Sequence, residues 1–345
     1  MKIKTSLSLL ALICGLPLLF QLNLSDAFAQ VSKSADSAPV EVQSSQWPRR
    51  TVKILVGFPP GSTPDMIART IAEPLSKSFN QPVIVENHVG VSGNLAAQLL
   101  ARAQDDHTLG LLINGNLTTA KLLYPSLEFD PLKDFTPVSL IANSPLLLVA
   151  PNNLPSAKAF FKEAQIQGGK WNFGSVGTGS MAHLTMEALK AATPGLEAVH
   201  IPYPGNPGVM NALMAGEIQM ALVPVGIAMP LIQQSEKIQA IGLVGGRSIL
   251  APNVPTLSEL GIKGIAAHLQ VWDALVGPKS LSREAQERLS KELKKIAQNS
   301  DLRAQLFNQG WILRSTSDEA LKNVINSEYL LMQGIINKNN IRANP

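Results

Sequence analysis

The chain has 345 residues, 45% of them hydrophobic and 16% charged, with 25 glycines and 24 prolines. That is length enough for two domains of roughly 100–200 residues each, and so little charge excludes a disordered chain or a coiled coil. The 29 basic and 25 acidic residues leave a net charge of +4 with no long run of one sign, which excludes a dedicated nucleic-acid face despite a pI near 9.1.

The chain opens like an export signal. Lys2 and Lys4 make a basic start, Ser6 to Phe20 is apolar apart from its serines, and Ala27-Phe28-Ala29 supplies small residues around a cleavage point. The apolar run falls short of the roughly 20 residues of a membrane span, so residues 1–29 are read as a cleaved signal peptide and the mature protein as periplasmic. Cys14, the only cysteine, lies in that segment, and Ile13 before it does not suit a lipidation site. The mature chain is therefore expected to have no disulfide and no thiolate chemistry. Residues 30–46, rich in Ser, Ala and Gln, read as a flexible leader.

From Trp47 onward, strand-like and helix-like stretches alternate. Val52–Phe58, Val83–Asn87, Thr108–Asn114, Pro137–Ala142, Leu146–Pro151, Trp171–Val176, Val199–Tyr203, Met220–Val225 and Ile238–Gly245 read as strands, many of them apolar on both faces. Between the first two, Ile67, Ile71 and Leu75 recur at helical spacing, with Thr63 as the expected N-cap, Pro64 at the first position and Pro74 as an expected kink. Arg283–Gln298 reads as a second helix, capped by Ser282 and apolar along Leu289, Leu293 and Ile296. The alternation predicts an α/β fold with mostly parallel sheets. Leu146–Pro151 and Ile238–Gly245 bracket about a hundred residues, a domain's length, and are expected to form a hinge. Residues 47–148 and 246–345 would make lobe one and 149–245 an inserted lobe two.

Two loops could carry chemistry. Phe58-Pro59-Pro60-Gly61-Ser62-Thr63-Pro64-Asp65 runs from a strand into a helix, where unpaired amides and the helix dipole favour an anion. An ordinary strand-to-helix turn, with Asp65 complementing the dipole, fits the same residues. In the second loop, Gly177, Gly179 and Ala182 match G-x-G-x-x-[GA], but no acid follows the next strand to hold a ribose. An anion pocket using the amides of the Gly177–Ser180 run and the hydroxyls of Ser175, Thr178 and Ser180 keeps what does match. No nucleophile elbow is complete, since Phe173 stands where Ser175 would need glycine. The histidines, His88, His107, His183, His200 and His268, are scattered without metal-ligand spacing, and no P-loop occurs. Two domains with no catalytic set point to binding without chemistry, without cofactor and without metal.

Six segments occur in a familiar order: Phe58-Pro59-Pro60-Gly61-x-x-x-Asp65; Val85-Glu86-Asn87; Phe129-Asp130-Pro131-x-Lys133-Asp134-Phe135; Ser175-x-Gly177-x-Gly179-Ser180-x-x-His183-Leu184; His200-Ile201-Pro202-Tyr203; and Val254-Pro255-Thr256-x-x-Glu259. Together they resemble the periplasmic solute-binding subunits of tripartite tricarboxylate transporters, the Bug family, across nearly the whole mature chain. The resemblance implies a two-lobed, Venus-flytrap periplasmic binding protein that captures a small organic acid and delivers it to integral-membrane permease subunits, expected to act as a monomer. It implies that Phe58, Pro60, Gly61, Ser62, Thr63 and Asp65 in lobe one, and Ser175, Thr178, Gly179, Ser180 and His183 in lobe two, contact the ligand. Tyr203, Gly205, Asn206 and Val225 are added because ligands gather at strand carboxyl ends, and Trp272 as a surface on which an aromatic acid could stack, with packing in the hinge-side core the safer expectation.

The chain also departs from the family pattern. Ser62 replaces a second glycine, His88-Val89-Gly90-Val91-Ser92-Gly93 loses an arginine and a proline, the turn at Asp105-Asp106-His107-Thr108 is shortened, and Pro204 replaces a basic residue. Asp273 follows Trp272 where glycine is usual; facing an anion pocket, it would repel carboxylates. Asp65, if it faced the cleft, would pair with a ligand ammonium; otherwise it stabilises its helix. Arg69 and Lys77 are expected on solvated helix faces. Two other readings stand beside solute capture: a ligand-dependent docking protein for a membrane receptor, and a serine esterase using Ser175 or Ser180 with His183.

Overall fold

A computed structural model describes residues 46–263 and 269–342. The expected signal peptide with Cys14, residues 30–45 of the leader, and His268 lie outside the described residues. The chain runs through β1 (Val52–Val56), α1 (Thr63–Phe79), β2 (Val83–Asn87), α2 (Asn94–Arg102), β3 (Thr108–Ile113), α3 (Asn114–Thr118), α4 (Ala120–Leu123) and the long β4 (Phe135–Pro151). It continues through α5 (Ala157–Gln167), β5 (Asn172–Ser175), α6 (Met181–Ala192), β6 (Val199–Pro202), α7 (Asn206–Ala215), β7 (Met220–Pro224), α8 (Val225–Gln234) and β8 (Ile238–Leu243). Last come β9 (Gln270–Pro278), α9 (Arg283–Gln298), α10 (Ser300–Asn308), β10 (Ile312–Leu313) and α11 (Asp318–Lys338).

The helical spacing does what it predicts. Ile67, Ile71 and Leu75 are wholly buried and share one core with Val52, Ile54 and Val56 of β1 and Leu109 and Leu111 of β3. Burial of each such side chain is worth roughly 1.5–3 kcal/mol, which fixes α1 to the sheet and so fixes where its N-terminus points. That terminus starts one residue earlier than expected: Ser62 is the N-cap, Thr63 is the first helical residue, and the helix continues through Pro74 to Phe79. Helix α9 has the expected bounds, and its cap Ser282 accepts a hydrogen bond from the Ala285 amide.

The sheets are mixed rather than mostly parallel. β1 pairs in parallel with β2 and β3, and β5 with β6 and β7. Every pair involving β4 or β9 is antiparallel. The two runs Pro137–Ala142 and Leu146–Pro151 are halves of one strand, β4. Its first half pairs with β9 as far as Pro145 opposite Gln270. Its second half, from Leu146 opposite Pro224, pairs with β7 and β8. One strand thus belongs to two sheets, and the parallel pairs lie outboard of it.

β8 is not the return crossing expected of Ile238–Gly245. It stays paired with the second half of β4 from Pro151 back to Leu147, and the first sheet is regained only with β9. β9 has no counterpart among the strands expected from sequence. It lies between β3 and the first half of β4, placing Asp273 opposite Ile113 on one side and Ala142 on the other. The chain beyond Gly245 also divides between cores. Leu289 and Trp311 pack with α1, whereas Leu257, Met332, Ile336 and Ile341 join the core of Phe160, Phe173 and Leu184.

Candidate ligand-binding site

The first loop owes its shape to Asp65. Gly61 takes a left-handed φ of +78° and donates its amide to Asp65 Oδ2 at 2.9 Å, while the Ser62 amide closes a turn onto the Pro59 carbonyl at 3.1 Å. The same carboxylate accepts from Arg69 Nε at 3.0 and 3.1 Å and from Asn87 Nδ2 at 2.9 Å. Burial alone would raise the Asp65 pKa, but the bonds from Arg69, the Gly61 amide and Asn87 outweigh it and hold the carboxyl below its ordinary range. Asp65 is therefore tied within its own loop by Arg69 and does not reach the cleft. Pro60 and Gly61 are exposed; they shape the turn without lining a cavity.

What that loop does present is the N-terminus of α1. With the N-termini of α6 and α7 it closes on a cavity of about 50 Å3 between the helices of the two sheets. Ser62 and Thr63 come from α1, Ser180, Met181 and Ala182 from α6, and Gly205 and Asn206 from α7. First-turn amides have no carbonyl four residues back, and each helix end carries about half a positive charge. Three such ends around one small space make it receptive to an anion. Phe58, Trp272 and Trp311 form aromatic walls, Leu146, Val271 and Pro224 aliphatic ones, and among the described residues no lysine, arginine or histidine lines the space.

Three buried polar atoms belonging to wall residues have no protein partner: Ser62 Oγ, Trp311 Nε1 and Asp273 Oδ1. Each unsatisfied buried group costs about 1–3 kcal/mol, and all three belong to residues that line this one cavity. Asp273 is fully buried, and that burial pushes its pKa up to about 8. Behind the wall, Trp272 Nε1 donates to Glu328 Oε2 at 2.7 Å. Burial raises Glu328 to about 7, against the lowering effect of its bonds from Trp272 and Asn114.

Hydrogen bonds join distant parts of the chain beside this space. Asn206 Nδ2 donates to Thr63 Oγ1 at 3.4 Å, Thr119 Oγ1 to the Gly179 carbonyl at 2.6 Å, and Ser92 Oγ and Tyr124 Oη to the Thr178 carbonyl at 3.0 and 3.3 Å. These bonds hold the Gly177–Ser180 loop against residues of the first half of the chain.

The second loop differs from its expected role. The Gly179 amide, expected to bind an anion, donates to His183 Nδ1 at 3.1 Å, and the Gly177 amide donates to Ser175 Oγ at 3.2 Å. The Ser175 hydroxyl also sits 2.7 Å from His200 Nε2 and donates to the Gly177 carbonyl at 3.0 Å, so it staples the loop. His183 and His200 stack at 4.0 Å behind Phe173. Burial, with the neighbouring His200 and Lys190 charges, lowers His183 to about 3; burial and Lys190 lower His200 to about 4.

Of the residues expected at the ligand, the cavity brings together Phe58, Ser62, Thr63, Ser180, Gly205, Asn206 and Trp272. Thr178, His183 and Tyr203 line an adjoining, larger depression of about 1280 Å3, which shares Phe58 and Val176 with the cavity, and Val225 is packed in the core beside β7. Asn114, Met181, Ala182 and Trp311 join the wall without having been expected there. Met181 and Ala182 were within reach of sequence reasoning, because they directly follow the Ser180 cap. Trp311 arrives from the turn after α10, far along the chain, and no local spacing announces it.

Comparison with known proteins agrees with this architecture. The model of the tripartite tricarboxylate transporter family receptor matches residues 67–341. A UPF0065 protein in the tcbD-tcbE intergenic region of Pseudomonas sp. (strain P51) is 31% identical over 303 residues, covering 86% of this chain and 89% of that one. Two solved structures from Rhodopseudomonas palustris superpose closely. Rpa4515 with adipate has 27% identity and a TM-score of 0.80, over 86% of this chain and 99% of that one. MatC with bound malate has 26% identity and a TM-score of 0.78, over 84% and 100%. The fold is that of a two-lobed periplasmic binding protein, and the chain belongs to the tripartite tricarboxylate transporter receptor family.

Proposed function

We propose that the protein is a periplasmic receptor that captures a small organic carboxylate between its lobes and presents it to membrane permease subunits. The observation that carries this reading is the convergence of three helix N-termini on one small cavity whose described lining holds no cationic side chain and includes Ser62 and Trp311, whose Oγ and Nε1 have no protein partner. Such a site holds a carboxylate by oriented dipoles and neutral hydrogen bonds, which suits reversible capture. The structures with malate and adipate support the ligand class. The lobes are taken to follow the two sheets, dividing β4 at Pro145–Leu146, with residues 246–262 and the end of α11 riding with the second. Residues 1–29 are the proposed export signal.

Hydrolysis is not proposed. Ser175 is bonded inside its loop, Ser180 caps α6, and a histidine with a pKa of about 3 or 4 is a poor general base at neutral pH. Thermal unfolding against malate, adipate, succinate, citrate, aspartate, glutamate and aromatic acids tests the reading. A ligand at a hundred times its Kd stabilises by about 2.7 kcal/mol, and the expected result is a clear rise for one chemical group of acids. A flat response throughout, with no acid co-purifying in native mass spectra, would refute capture.

A further inference from the structure

We infer that Glu328 is a positioning residue for ligand capture, latching the Trp272 indole as the partition between the cavity and a further depression on the α11 side. This rests on the capture reading above and goes beyond it by assigning a part in capture to a residue outside the cavity wall.

Trp272 lines two spaces. One is the cavity at the helix N-termini; the other is a depression of about 630 Å3 whose walls include Glu328, Gln270 and Arg314. An indole has a single polar atom, and here Nε1 donates it to Glu328 Oε2 at 2.7 Å. That bond sets the turn of a ring that packing alone would leave to shape. Arg314, the cation among the depression's described residues, donates to Asn143 Oδ1 at 2.9 Å and takes no part in the pair.

Glu328 is itself held in place. The buried residues of α11 are Leu321, Ile325, Met332 and Ile336. Glu328 falls on the same stripe, three residues after Ile325 and four before Met332. Leu321 and Ile325 pack in the core that contains Trp272, whereas Met332 and Ile336 pack in the core of Phe160 and Leu184. A helix anchored in two cores cannot slide, so the carboxyl meets the indole at a fixed height. The stripe is otherwise apolar, and a carboxyl whose Oε1 is buried and unpartnered is costly there. What its other oxygen secures is a wall of the cavity.

A latched wall is already in position when the acid arrives, so capture does not have to immobilise it. It also keeps the water of the α11-side depression away from the helix ends, where a higher local dielectric would weaken their attraction for a carboxylate.

The test is titration calorimetry at pH 6 with malate, adipate, succinate, citrate, aspartate and glutamate. It compares the exported chain with Glu328→Leu, Glu328→Gln, Trp272→Phe and the Glu328→Leu/Trp272→Phe double variant. Glu328→Leu should weaken every acid the wild type binds by about three- to tenfold, the cost of immobilising one freed side chain. Burial raises Glu328 to about 7, so at pH 6 it is protonated and glutamine matches it in charge and as an acceptor; Glu328→Gln should bind as wild type does. Adding Glu328→Leu to Trp272→Phe should cost no further affinity, because the latch has already gone. A second readout leaves Glu328 unchanged: the Trp272 indole N–H, assigned in nitrogen-15 spectra by its loss in Trp272→Phe, should exchange slowly with solvent in the ligand-free protein. A Glu328→Leu protein that melts earlier but binds normally would mean a purely structural role. That result, an equal loss in the Trp272→Phe background, a Glu328→Gln variant as weak as Glu328→Leu, or fast indole exchange would each overturn the inference while leaving carboxylate capture standing. Binding of no acid by the wild type would overturn the capture reading itself, and this inference with it.

Discussion

Replacing a serine N-cap with alanine normally costs about 1 kcal/mol of stability, within a range of about 0.5–2. Ser62 should break that rule. It stands at the N-cap of α1, yet its hydroxyl caps nothing and is a buried, unpartnered atom of the cavity wall. Ser62→Ala should therefore leave the ligand-free protein as stable as before, or slightly more stable, because an unsatisfied buried group disappears. The same change at Ser282, whose hydroxyl does accept from the Ala285 amide at 3.3 Å, should cost about 1 kcal/mol. With about 2.1 cal/mol/K of unfolding entropy per residue over roughly 300 residues, 1 kcal/mol corresponds to about 2 °C in Tm. The order should invert for ligand. Losing a hydrogen bond to a charged group is worth about 1.5–3 kcal/mol, so Ser62→Ala should weaken the tightest-binding acid of the panel by tenfold or more. Ser282→Ala should leave affinity unchanged. Scanning calorimetry and titration calorimetry on the two variants read both effects. A Ser62→Ala protein that melts 2 °C early and binds normally would mean that Ser62 is an ordinary cap and that the cavity is not the site.

Gly179→Val should damage folding rather than ligand capture alone. A Cβ there would lie 2.6 Å from Leu123 Cδ1, and the φ of +85° disfavours any side chain; a Tm drop of several degrees without ligand is expected, and an unchanged Tm with lost binding would contradict this. His183 and His200 are kept neutral by burial, with folded pKa values of about 3 and 4 against 6.5 when unfolded. Between pH 6.5 and 4 the unfolded chain binds the extra protons, so stability should fall with acidification, by up to about 1.4 kcal/mol per pH unit for each histidine. His200→Gln should flatten that limb, and an identical slope would argue against the shift. A side chain at Gly310, whose φ is +76°, would collide with Gly226 Cα, so Gly310→Ala should hold the turn after α10 away from α8. Small-angle scattering should then show a larger radius of gyration with ligand than wild type, and an equal radius would deny that this close approach holds the turn against α8.

The helix faces were legible because four-residue spacing is a local signal: α1 and α9 bury the side chains their sequences nominate. Most strands were legible for the same reason. β9 was not, because Trp272-Asp273 places an ionisable residue in the middle of an apolar run, and a buried carboxyl is what a strand in a core is least expected to hold. The two loops were found correctly as helix starts, but which groups face the cavity depends on bonds made across the chain. Asp65 turns away because Arg69 and Asn87 hold it, and the Gly179 amide because His183 accepts it. Trp311 reaches the wall from about 250 residues beyond Ser62, a juxtaposition created only by the return through β9 and β10.

The central claim is that a carboxylate sits between the lobes against the helix N-termini, and a crystal structure with the tightest-binding acid tests it most directly. The account predicts a ligand carboxylate within hydrogen-bonding distance, about 2.7–3.0 Å, of first-turn amides of α6 at Met181 and Ala182 and of Trp311 Nε1. An acid lodged instead in the open depression beside His183 and Tyr203, out of reach of the α6 amides and of Trp311 Nε1, would contradict it.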